Sequence, residues 1–136
     1  MDREQLAWAS GVFCGEGCFY TPRTGVKSSA CATLGQAGDS LAEPPEMIRR
    51  LLSITGLGTA RLNKHSSNVK KKGGRTTPVW VWRVHGCDNI RRLIEMLSPW
   101  LTPEKRRDAD RLLEWYGWKR VYKALELDFR RANTDY

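Results

Sequence analysis

Between Met47 and Cys87 the chain has no aspartate or glutamate, and it has none between Gly17 and Gly38. Bases are present in both stretches: Arg23 and Lys27 in the shorter, and Arg49, Arg50, Arg61, Lys64, Lys70, Lys71, Lys72, Arg75 and Arg83 in the longer. A generally basic, solvated surface would scatter acids among the bases. The segregation instead marks elements kept clear of negative charge, as a polyanion partner requires. The formal net charge of +8 and a pI near 9.6 agree.

Other absences narrow the class. No apolar run reaches about 18 residues, so no membrane span and no membrane partner is expected. The acidic N-terminus lacks a signal-peptide pattern, which predicts a cytoplasmic protein of bacterial, phage or organellar setting. Cys14, Cys18, Cys31 and Cys87 have neither the mutual spacing nor the histidine partners of a zinc site, and they suggest no disulfide framework. They read as reduced, mostly buried thiols. With 40% hydrophobic residues and six Trp, the chain is not disordered, and 136 residues predict one domain with a real core.

Residues 3–15 read as a helix ended by Gly15 and Gly17. Ala7, Gly11 and either Cys14 or Gly15 form a small-residue stripe along it, suited to close packing against a second copy of itself. Residues 18–22 and 27–36 predict a hairpin across Pro22-Arg23-Thr24-Gly25. In its second strand Val26, Ser28, Ala30, Ala32 and Leu34 share a core face, while Lys27, Ser29, Cys31 and Thr33 share the other. A helix is expected from Leu41 to Ile54, opened by Pro44-Pro45. Residues 58–64 and 78–86 then form a second hairpin around the loop Ser66 to Pro78. Trp80, Trp82 and Val84 alternate on its core side, which turns Arg83 outward beside Arg61. Asn89 to Leu97 predicts a helix, and Thr102-Pro103 opens another to about Tyr116, stopped by Gly117. The core therefore spans about 3–117, and 118–136 reads as a C-terminal helix or tail.

The order α-ββ-α-ββ-α-α makes an α+β domain: a four-stranded antiparallel sheet with helices on one face and the acid-free face open. A two-stranded β-ribbon fits the major groove of double-stranded DNA. Lys27, Ser29, Thr33, Arg61, Asn63 and Arg83 are the outward strand residues placed to read bases. Lys70, Lys71, Lys72 and Arg75, on a Gly-rich loop, suit phosphate contacts.

One carboxylate is out of place. Glu16 lies between Gly15 and Gly17 where the first helix ends, and a helix C-terminus disfavours an anion. A bound cation is the most economical reason. Ala9-Ser10-Gly11-Val12-Phe13-Cys14-Gly15-Glu16-Gly17 resembles, without a gap, the nine-residue motif of the LAGLIDADG homing endonucleases. Its penultimate acid falls on Glu16, where the family has a metal-binding Asp. An earlier acid of the motif is Cys14 here.

Over residues 5 to 117 the element order also resembles one family half-domain, αββαββα, with a saddle-shaped sheet. A single motif resembles the homodimeric members. The resemblance implies an intron-associated, metal-dependent DNA endonuclease that cuts both strands of a near-palindromic site. Mg²⁺ would be held by Glu16 with the Gly15 carbonyl, and Ala7, Gly11 and Gly15 would lie at the dimer interface. Gln36 resembles the family's water-positioning Gln, and is alternatively a turn residue bonding its own backbone. The family's basic residue falls on Lys105 or Arg106. Two readings stand beside this one: a catalytically inactive DNA-binding protein or RNA-splicing maturase on the same fold, with intron RNA as partner, and a small ribosomal or RNA-chaperone protein bound by charge alone.

Overall fold

The computed structural model describes residues 2–23, 30–63 and 77–134, and from residue 120 onward the backbone alone apart from Leu125. Helix α1, Arg3–Glu16, is capped by Asp2, whose carboxylate accepts from the Glu4 amide at 2.8 Å. Its buried side is Ala9, Ser10 and Phe13. Phe13 packs on Phe19 with ring centroids 4.6 Å apart and edge-on to Trp82 at 6.3 Å. Burying a ring of this kind stabilises by about 1.5–3 kcal/mol. The buried Ser10 hydroxyl donates to the Leu97 carbonyl at 3.2 Å, so no polar atom is orphaned there.

Strands β1 (Gly17–Tyr20), β2 (Cys31–Ala37), β3 (Thr59–Leu62) and β4 (Val79–His85) form one antiparallel sheet in the order β1-β2-β4-β3. The register sets Leu34 opposite Trp82 and Thr33 opposite Arg83. Phe19, Ala32, Leu34, Trp80, Trp82 and Val84 are buried under the helices. Helix α2 (Glu46–Thr55), helix α3 (Cys87–Leu97), a 3₁₀ turn Ser98–Trp100 and helix α4 (Pro103–Thr134) complete the chain. Ile48, Leu51, Ile90, Leu93, Leu97, Ala109 and Leu112 supply the helix side of the core. The expected α+β architecture, with helices on one face of a four-stranded antiparallel sheet, is the one observed.

Four expectations need correction. Helix α2 starts at Glu46, not Leu41: the residue before a proline is driven out of the helical region, and Pro44-Pro45 therefore precede the helix. Gly117 does not stop α4, which continues to Thr134. A mid-helix glycine on an exposed side costs about 1 kcal/mol relative to alanine, and that penalty does not break a helix of this length. Of the thiols only Cys31 is buried; Cys18 is exposed, and Cys14 and Cys87 are half-buried. Gly17 is extended, with φ −89°, so it does not serve as a left-handed cap. Its lack of a side chain matters instead, because a Cβ there would run into the Phe13 ring.

Candidate nucleic-acid interface and active site

None of the four strands contains an Asp or Glu, and the sheet side turned away from the helices is open. Arg61, Arg83 and His85 are exposed on it, with Thr33 half-buried between Cys18 and Arg83 on the neighbouring strands. Thr59, Arg61, Asn63, Val81, Arg83 and His85 line an open depression of about 620 Å³. The Asn63 amide donates to the Val79 carbonyl at 2.8 Å, which extends the β3–β4 pairing by one residue. Four of the expected base-reading residues, Thr33, Arg61, Asn63 and Arg83, are thus brought onto one surface. Lys27, Ser29, Lys70, Lys71, Lys72 and Arg75 lie outside the described residues. Thr59 and Val81 belong to the same surface; their signal was the two-residue period running through Arg61 and Arg83.

Cys31 shares this outer parity yet is buried. Burial pushes its thiol above the usual range, the nearby Arg83 guanidinium opposes that, and Cys18 adds to it.

The sheet meets α1 at Glu16–Gly17. The Glu16 carboxylate is exposed and has no ion-pair partner among the described residues. The Gly17 carbonyl beside it is gripped from far along the chain: Lys105 Nζ donates to it at 2.6 Å. Arg106, the other candidate base, turns away and donates to the Ser98 carbonyl and hydroxyl, both at 2.6 Å. Both stand in the first turns of α4, just after the 3₁₀ turn, where the Thr102 hydroxyl accepts from the Lys105 amide at 3.3 Å and fixes the helix start. The register seats Gln36 opposite Trp80, on the helix-facing parity of β2, so it does not join the open face. Its backbone follows Leu34, which pairs with Gly17, and lies at the Glu16 end of the sheet.

Along α1, Ala7 is half-buried while Gly11 and Gly15 are exposed, and a Cβ built on either glycine meets nothing within 4 Å. At Gly11 and Gly15 the stripe is uncovered by the described residues of its own chain. Beside it the Arg50 guanidinium lies 4.0 Å over the Trp8 ring and ties α2 to α1. No cluster of three or more His, Cys, Asp or Glu able to hold a metal occurs among the described residues. No helix among them is long and apolar enough to cross a membrane.

No protein-family model matches the chain, and no curated protein matches it. Solved structures do. A crystal structure of the homing endonuclease I-CvuI, in complex with the I-CreI target and 2 mM Mg with the DNA not cleaved, has a TM-score of 0.58 and 20% identity. It is matched over 82% of this chain and 65% of that chain. A second structure of I-CvuI, with its own target and 2 mM Ca, gives a TM-score of 0.57, 21% identity and the same coverage. The chain thus spans about 65% of the length of these neighbours. By element order, sheet topology and this likeness, the chain has the fold of the LAGLIDADG homing endonucleases.

Proposed function

We propose that the chain is a homing endonuclease of the single-motif kind, acting as a homodimer that hydrolyses both strands of a near-palindromic DNA site with Mg²⁺. The observation that carries this reading is the pairing of an unneutralised Glu16 with the Lys105–Gly17 contact, at the edge of a sheet face that bears no acid.

The available donors suit a hard divalent cation. They are oxygens only, the Glu16 carboxylate and the Gly15 carbonyl. One carboxylate per chain is too few for a site, so the reading needs two copies. Two α1 helices packed through Ala7, Gly11 and Gly15 would bring both Glu16 groups together, and like charges so close repel unless a cation lies between them. When bound there, Mg²⁺ supplies charge neutralisation for the attacked phosphodiester.

The remaining work falls to the chain itself. A water oxygen attacks phosphorus, the bond to the 3′ oxygen breaks, and that oxygen takes a proton. Lys105 Nζ, which donates to the Gly17 carbonyl, would also donate a hydrogen bond to the phosphate as charge builds on it. Arg61, Asn63, Arg83 and Thr33 would read base edges, Arg on guanine and Asn on adenine, with Lys27 and Ser29 extending that set. Lys70, Lys71, Lys72 and Arg75 would hold phosphates. Gln36 would orient the attacking water only by reaching round the end of β2.

Glu16→Gln tests the reading. The variant should fold, dimerise and bind DNA, yet fail to cut a supercoiled plasmid carrying the host site in Mg²⁺. Cleavage at the wild-type rate would remove Glu16 from the metal site. Gly11→Leu should wedge the helices apart and yield monomers in sedimentation; a full dimer would exclude the α1 interface.

A further inference from the structure

The long helix α4 does more than close the core. Ala109 and Leu112, both buried, press it against the domain, and its first turns run beside the edge strand β1. Covering an edge strand in this way hides backbone groups that would otherwise pair with another chain. At the start of β1 the contact is Lys105 on the Gly17 carbonyl. At its far end Tyr20, Thr21 and Arg23 face Asp108 and Arg111 across an open groove of about 420 Å³. Tyr20 shares the outer parity of the sheet with Cys18, so the groove continues the open face.

The charge in this groove is unbalanced. Arg23 is exposed and the Arg111 side chain is 69% exposed, while Asp108 is the acid that lines the same groove, 3.9 Å from the Arg111 guanidinium. Two guanidinium groups therefore face one carboxylate. An acid at that distance spoils a tight pocket for a small anion. A polyanion, which gains from each added cation on its path, tolerates it. Lys105 and Arg111 stand six residues apart on the helix, a rise of about 9 Å, so the cations are strung along β1 rather than gathered at one point. The Thr21 hydroxyl adds a neutral donor of the kind that phosphate oxygens accept.

We infer that the groove between β1 and α4 carries the sugar-phosphate backbone of duplex DNA leading away from Lys105, with Arg23 and Arg111 each neutralising a phosphate. This rests on the reading of the chain as a DNA-binding endonuclease and adds a second wall to the sheet face. The contact carries no base information, so a short random-sequence duplex is a sufficient probe.

Affinity for that duplex is to be measured as a function of salt for the wild type, the double variant Arg23→Gln/Arg111→Gln, Asp108→Asn, and Arg92→Gln, the last replacing a cation on α3 as control. The double variant should flatten the slope of log K against log salt by about 1.8, so the loss of affinity between 50 and 200 mM salt shrinks about tenfold. Asp108→Asn should tighten binding at low salt by removing the competing anion, and Arg92→Gln should leave the slope unchanged. A wild-type slope in the double variant, or an equal shift in the Arg92 control, overturns the groove. A wild type that binds no duplex refutes the DNA-binding reading itself, which is a different outcome.

Discussion

Helices α1 and α2 each end in a glycine junction that feeds an edge strand of one hairpin, and the two junctions are finished differently. Helix α2 ends at Thr55, which is buried and self-sufficient. Its hydroxyl donates to the Leu51 carbonyl at 2.7 Å and accepts from the Leu57 amide at 3.2 Å. Gly56 then turns the chain with φ +65°, a conformation that other residues adopt at a cost. Helix α1 ends at Glu16, an exposed anion at the negative end of a helix, with no partner of its own. Gly17 is needed there for space rather than for φ, and the carbonyl is satisfied by a lysine from another element. A structural junction closes with local groups. The α1 junction leaves its carboxylate exposed and draws in a distant base, and in the reading proposed above a bound cation would complete it.

The largest effect that would break this contrast is on catalysis. Lys105→Met should lower cleavage by roughly 10²–10³-fold, the scale of losing one preorganised donor, while binding and fold persist. Full activity in Lys105→Met would make the α1 junction as purely structural as its counterpart. Next in size, Gly17→Ala should destabilise by about 1–3 kcal/mol through overpacking on Phe13. Combining it with Phe13→Leu should recover part of the loss in denaturant melts. Gly56→Ala, penalised only by its positive φ, should cost about 1 kcal/mol, and no substitution of a neighbouring side chain should rescue it. Thr55→Val should cost about 1 kcal/mol by unpairing the Leu57 amide, with cleavage per folded molecule unchanged.

The smallest expected effect is in pH. Burial raises the Cys31 thiol and the Tyr116 phenol, whose hydroxyl bridges the Ala30 carbonyl at 2.9 Å and the Gly86 amide at 3.3 Å. Both groups hold their protons more tightly when folded. Their stability contribution is complete below the unfolded values and is lost as pH rises through the folded ones, so melting temperature should fall in the alkaline range above about 9. Tyr116→Phe and Cys31→Ala together should blunt that fall; an unchanged alkaline profile would show that neither group is coupled to folding.

Much of this molecule was legible in local pattern. The alternation through Trp80, Trp82 and Val84 fixed which way β4 faces, because successive strand residues must point to opposite sides. The acid-free windows located the open sheet face before its geometry was known, and the abrupt end of an apolar helix at Glu16–Gly17 located the junction. What local pattern could not hold was any choice made between segments far apart in the chain. Lys105 and Arg106 are neighbours with the same charge, and only the turn at Ser98–Trp100 and the packing of α4 on β1 decided which one reaches Gly17. Gln36 continues the inward parity of Ala32 and Leu34, so the two-residue period of β2 already turned it from the open face, and pairing with β4 added only its partner Trp80. Helix α4 passes Gly117 although the residue alone reads as a stop, since a local penalty of about 1 kcal/mol is smaller than what cooperative helix propagation supplies. Cys31 is buried on a face whose other residues are exposed or half-buried, with Tyr20 and His85 beside it on the two neighbouring strands. Periodicity determines what a segment buries; only tertiary packing determines which distant side chain meets it.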